Sequence, residues 1–213
     1  MTDPIRILLV DDHAVVREGY RRLLESEPSL RLVGEASDGP QACQRARALR
    51  PDVVVMDIGL PGISGIEATR RLIDELPQLR VLVLSMYDDA IYASRALEAG
   101  ARGYISKVSA PEVLVRAIYI VARGESYLSS DVAANIGRSA AQFARSKIDA
   151  LTARQLEILH LLVQGETIKG ISEKLGLSEK TIANQQWTIR AKLGAKNGAQ
   201  LALRAAKIGL APR

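Results

Sequence analysis

The chain has 213 residues, of which 47% are hydrophobic and 25% charged, a globular composition with room for one large domain or two small ones. A single cysteine, Cys43, excludes an internal disulfide, and with only His13 and His160 beside it a Cys- or His-rich metal site is excluded too. The net charge of +5 is uneven: residues 1–124 carry 16 Lys/Arg against 17 Asp/Glu, whereas residues 125–213 carry 13 against 7. The basic end is either an ordinary solvated surface or a surface for a polyanion. The longest apolar run, Ala117 to Ala122, is far short of the ~18 residues of a membrane helix. The N-terminus lacks the basic start and long apolar core of a signal peptide, so no membrane is expected as a partner and the expected location is cytoplasmic.

Along residues 1–124, two periods alternate. Short β-branched runs at Ile5–Val10, Leu30–Ala36, Val53–Met56, Val81–Leu84 and Gly103–Ile105 predict strands. Between and after them, apolar residues at helical spacing predict five helices, marked by Val16 to Leu24, Ala42 to Leu49, Ile66 to Leu76, Ile91 to Leu97 and Val113 to Val121. The last has a capping-box start, Ser109-Ala110-Pro111-Glu112. Five strands alternating with five helices imply a parallel sheet covered on both faces. Residues 125–149 read as a charge-balanced linker with a short helix around Asp131–Phe143.

From residue 150 only helices are predicted. The first follows a capping box at Thr152–Gln155 and stops at Gly165. A second spans Ile168–Leu175, a third follows Ser178 to Leu193, and a fourth spans Ala199–Ile208. The tight turn at Gly176 makes the middle pair a helix-turn-helix.

Ligands of open α/β sheets bind beyond the carboxyl ends of the strands, where strand order reverses. The predicted first strand ends at Asp11-Asp12 and the third at Asp57; Ser85 and Lys107 follow the fourth and fifth. With order 2-1-3-4-5, three carboxylates converge and need a cation. An all-oxygen donor set suits Mg²⁺, beside which a carboxylate can attack phosphorus. Taken singly, an acid at a strand end is often only a helix N-cap.

The text LLVDDH at 8–13, MDIGLPGISGIEA at 56–68, LSMYDD at 84–89 and GARGYISK at 100–107 resembles the receiver domain of two-component response regulators, over residues 4–124. The resemblance implies a flavodoxin-like (βα)₅ receiver of order 2-1-3-4-5. It makes Asp57 the phosphoacceptor, and Asp12, Asp57 and the Gly59 carbonyl the Mg²⁺ ligands, with Asp11 acting through water. Ser85 and Lys107 would bind the phosphoryl group and Tyr104 would be the switch aromatic. Gly59 stands where the family often carries a larger residue that influences phosphoryl lifetime, and Val108 where proline or aspartate is common.

On a helical wheel of the third C-terminal helix, Ile182, Ile189 and Leu193 face inward, leaving Lys180, Asn184, Trp187 and Ala191 outside. Such a stripe suits a major groove, but any surface helix is amphipathic. An outward tryptophan wants a partner: DNA, the other half of the chain, or a second subunit. Residues 151–159 (LTARQLEIL), 164–182 (QGETIKGISEKLGLSEKTI) and 189–196 (IRAKLGAK) resemble the LuxR-type DNA-binding domain. Together the halves resemble NarL/FixJ-family response regulators: receiver 1–124, linker 125–149 and an all-α four-helix domain 150–213. The resemblance implies base contacts from Ala183, Asn184 and Trp187, and DNA-backbone contacts from Lys180, Thr181, Gln185 and Lys192. Ala183, Gln185 and Gln155 replace the family's common lysine, histidine and glutamate, so the target sequence is open.

The resemblance further implies a regulator rather than an enzyme, phosphorylated by a histidine kinase or a small donor such as acetyl phosphate. It would bind double-stranded DNA as a homodimer once phosphorylated, with the fourth helix (199–208) as a dimer surface. In the inactive form the receiver would cover the recognition helix and give Trp187 somewhere to pack. Two rivals are a phosphorylation-independent DNA binder and a Mg²⁺-dependent aspartyl-phosphate phosphohydrolase. The hydrolase would want Asp-x-Asp on the first strand, where this chain has adjacent Asp11-Asp12.

Overall fold

A computed structural model describes residues 3–86, 90–109, 111–139, 150–207 and 210. Strands β1 (Ile5–Val10), β2 (Leu30–Ala36), β3 (Val53–Asp57), β4 (Arg80–Ser85) and β5 (Gly103–Ser106) alternate with helices α1 (Ala14–Glu25), α2 (Gly39–Leu49), α3 (Gly65–Glu75), α4 (Ala90–Glu98) and α5 (Pro111–Ala122). The sheet is parallel, in the expected order, but it has a sixth strand: β2-β1-β3-β4-β5-β6. This strand, β6 (Tyr127–Leu128), comes from the stretch read as linker. Two residues carry no period, so only the free edge of β5 could reveal it. Helix α6 (Ser130–Ser139) follows; the remainder of the expected linker helix, 140–143, lies outside the described residues. So does Ala110, in the expected cap of α5.

The inner stretches of β1, β3 and β4 are continuously apolar and buried because both faces are covered. Ile7, Leu9, Val53, Val55, Leu82 and Leu84 point into one core, beneath α1 and α5. Their neighbours Leu8, Val10, Val54, Met56, Val81 and Val83 point into the other, as the two-residue period of a strand requires. That second core runs without a break into the C-terminal domain, through Tyr92 of α4 to Leu156 and Leu159.

The C-terminal domain holds α7 (Ala153–Val163), α8 (Ile168–Leu175), α9 (Glu179–Leu193) and α10 (Gly198–Lys207). At its start Thr152 and Gln155 form the expected capping box. Gly176 ends α8 with φ +61, and a Cβ there would sit 3.1 Å from Pro61 Cβ. The glycine thus serves the turn and also lets it approach the β3–α3 loop. Among the described residues, no helix is long and apolar enough to cross a membrane.

Candidate functional site

The carboxyl ends of β1 and β3 are neighbours, which gathers Asp11, Asp12 and Asp57. One oxygen from each, with a ring nitrogen of His13, lies within 4.8 Å of the others. Asp11 and Asp57 are buried. Lys107, beyond β5, donates to Asp11 Oδ2 (2.6 Å) and Asp57 Oδ2 (2.7 Å). Burial pushes the Asp57 carboxyl above its usual range, against Lys107 and aided by Asp11. For Lys107 burial opposes the ammonium, but the two aspartates outweigh it and lift its pKa. Gly59 N lies 3.4 Å from Asp57 Oδ1. Ser85, at the end of β4, and Tyr104, in β5, are fully buried.

The donors fit a hard cation. Three carboxylates converge and two are held out of bulk water, where a divalent ion would relieve their mutual repulsion. His13 is a neighbour that the chain's pattern did not single out: its Nδ1 lies 2.7 Å from Asp12 Oδ1 and 3.4 Å from Asp11 Oδ1. It also caps the site's geometry, its backbone N–H donating to Asp11 Oδ1 at 2.8 Å. Arg17 steadies the same turn by donating to the Asp11 carbonyl at 2.6 Å.

On α9 the outer stripe is open. Lys180, Ala183 and Asn184 are exposed, and Trp187 is 73% exposed. Thr181 is half-buried and shares a hydroxyl contact of 2.8 Å with the N-cap Ser178. Gln185 and Lys192 face inward instead. Gln155 Nε2 donates to Gln185 Oε1 (2.9 Å), and Lys192 Nζ donates to Gln155 Oε1 (2.7 Å) and the Ala150 carbonyl (2.6 Å). These two side chains tie α9 to α7. A wheel separates inner from outer positions but does not show which half-buried polar groups find partners on another helix.

The expectation that the receiver gives Trp187 a place to pack is not met. The receiver grips α7 instead. Arg154 donates to the carbonyls of Leu60 (2.8 Å) and Gly62 (2.7 Å) in the β3–α3 loop. It also donates to Glu157 Oε2 at 2.6 Å. Tyr92 OH donates to the Leu156 carbonyl at 3.2 Å, and the Tyr92 and His160 rings meet edge-on at 5.9 Å. No periodicity could find the contacts of Arg154 with Leu60 and Gly62 or of Tyr92 with Leu156 and His160, because each joins residues more than sixty positions apart.

This arrangement, an acidic switch-point cleft joined to a helix-turn-helix, is that of a phosphoryl-controlled regulator. Residues 7–119 match the family described as response regulator receiver domain, and residues 149–205 match bacterial regulatory proteins, luxR family. The chain belongs to the response regulators, of the NarL/FixJ kind, with a receiver and a LuxR-type DNA-binding domain. It is 36% identical over 208 residues to response regulator GacA of Pseudomonas viridiflava, covering 97% of each chain. Against response regulator UvrY of Escherichia coli K12 the identity is also 36%, covering 97% and 95%. Among solved structures, a LuxR-family regulator from Aurantimonas sp. SI85-9A1 is 44% identical over 65% of this chain and 99% of that one, with TM-score 0.64. RcsB of Salmonella enterica serovar Typhimurium, bound to promoter P1flhDC with a phosphomimetic, is 26% identical over 97% of this chain and all of that one, with TM-score 0.63.

Proposed function

We propose that Asp57 accepts a phosphoryl group from a histidine kinase or from a small donor such as acetyl phosphate, and that this controls binding of a homodimer to double-stranded DNA. The observation that carries this is the meeting of Asp57 with Asp11, Asp12 and Lys107 in one cleft. Asp11, Asp12, Asp57 and the Gly59 carbonyl are the groups that would hold Mg²⁺, Asp11 through water. The ion, when bound, supplies charge neutralisation for phosphoryl transfer. Asp57 is the nucleophile. Lys107, already on its carboxylate, moves to the new phosphoryl oxygens with the Ser85 hydroxyl, and Tyr104 follows as the space beside Ser85 changes. The added charge, roughly −1.5 to −2, shifts the population between two receiver states.

On DNA, Ala183, Asn184 and Trp187 read bases and Lys180 and Thr181 meet phosphates. Gln185 and Lys192 reach the DNA backbone only by loosening their hold on Gln155. The units are a receiver (1–124), a linker (125–149) and a DNA-binding domain (150–213). The linker's β6 and α6 pack on the receiver side. The protein acts as a cytoplasmic regulator without turnover of its own.

Phosphodonor labelling of wild type against Asp57→Asn tests the acceptor; equal incorporation would overturn it. For the DNA end, footprinting with Lys180→Ala should show weaker binding and a shallower salt dependence, and Trp187→Ala an altered sequence preference. Unchanged footprints from both would remove α9 from the groove.

A further inference from the structure

The cleft that holds Asp57 is not lined by the receiver alone. A cavity of about 350 Å³ is bounded by Asp57, Ser85 and Lys107 on one side and by Leu161 of α7 and Lys174 and Leu175 of α8 on the other. Leu161 and Leu175 are buried there. The wall is held in place by the contacts of Arg154 with the Leu60 and Gly62 carbonyls and of Tyr92 with the Leu156 carbonyl. Gly176, immediately after Leu175, lies against Pro61. The helix-turn-helix domain therefore stands at the mouth of the phosphoacceptor site while α9 faces away from it.

We propose that the docked DNA-binding domain selects the phosphodonor: the closed chain admits small acyl phosphates to Asp57 and excludes phosphohistidine carried on a protein. This rests on Asp57 being the phosphoacceptor. The chemistry is the same for both donors. An Asp57 carboxylate oxygen attacks phosphorus and a new P–O bond forms. The bond from phosphorus to the donor breaks, its electron pair leaving with the acyl carboxylate, or with an imidazole nitrogen that takes up a proton. The difference is bulk. Attack requires an approach of roughly 3–3.5 Å. A volume of this size lies at the small end of ligand pockets and holds an acetyl phosphate with room to spare. A histidine on a helix brings a cylinder roughly 10–12 Å across to within one side-chain length of Asp57, into space that α8 fills. Protein-borne donors thus act on the open form, and their rate is scaled by its population.

The test uses two acyl phosphates of one leaving-group chemistry and different size, acetyl phosphate and pyrenebutanoyl phosphate. Each is given to the full chain with Mg²⁺, and phosphoprotein is followed by intact mass. Wild type should be labelled by the bulky donor about ten-fold more slowly or worse, the factor for an open population of a tenth or less. In Arg154→Ala and in the conservative Tyr92→Phe, the gap should narrow. Equal rates on wild type, or a gap that persists in both variants, would overturn the proposal. Acetyl phosphate labelling of Asp57→Asn at the wild-type rate would instead remove the acceptor on which it rests, a result that size exclusion cannot produce.

Discussion

Glu157 is fully buried on α7, with one carboxylate oxygen on Arg154 and the other without a hydrogen-bond partner among the described residues. Burial lifts its pKa from 4.5 to about 8, against Arg154 and with help from the Asp57 charge. The folded chain thus keeps a proton that the unfolded chain has released. The contribution of this group to stability is complete below pH 4.5 and is lost as pH climbs through about 8. Thermal unfolding should show the midpoint falling toward that pH in wild type, and Glu157→Gln, which cannot ionise, should flatten the fall. Parallel curves for the two proteins would mean that the carboxyl is already ionised in the fold. In the acidic cleft the residue types were legible in the sequence: Asp11, Asp12, Asp57, Ser85 and Lys107 each end or follow a strand. His13 and Arg17 were not, because a single histidine or arginine at a helix start carries no pattern of its own.

At the scale of elements, two junctions are tightly determined. The start of α3 passes so close to the end of β3 that a Cβ at Gly65 would lie 1.8 Å from the Asp57 carbonyl oxygen. Gly65→Ala must displace the backbone that carries Asp57. It should cost about 3 kcal/mol and slow phosphoryl labelling as well, which denaturant unfolding and donor assays check separately. At the other junction Thr152 caps α7 reciprocally with Gln155. Thr152→Ala should lose about 1 kcal/mol in denaturant unfolding. Because Gln155 also links Gln185 and Lys192, a fault in this cap reaches α9. Periodicity placed all five receiver helices and the four C-terminal ones. The β6 strand and the inward turn of Gln185 and Lys192 needed neighbours distant in sequence.

For the molecule as a whole, the consequence of the α7 contacts is that two domains share one apolar core. A compact chain of this length has a radius of gyration of about 17 Å. Small-angle scattering of wild type should lie near that value, and Arg154→Ala should expand it by loosening the grip on the Leu60 and Gly62 carbonyls. An unchanged radius would place the cohesion in the apolar contacts around Tyr92 and Leu156 instead. The same geometry explains why Trp187 stays in solvent: the receiver holds the domain by the first helix and by the turn at Gly176, on the side away from the outer stripe of α9.

The uneven charge, a near-neutral first half before a basic second half, separates the receiver with its acidic cleft from the basic LuxR-type domain. Composition, period and motif determined that much, along with the fold class and the acidic cleft, because these depend on local spacing and on strand ends that any doubly wound sheet brings together. Tertiary structure alone decided the sixth strand, the partners of Gln185 and Lys192, and the placement of α7 and α8 against the cleft. Those depend on contacts such as Arg154 with Leu60 and Tyr92 with Leu156, whose members are far apart in the chain and share no period by which to be recognised.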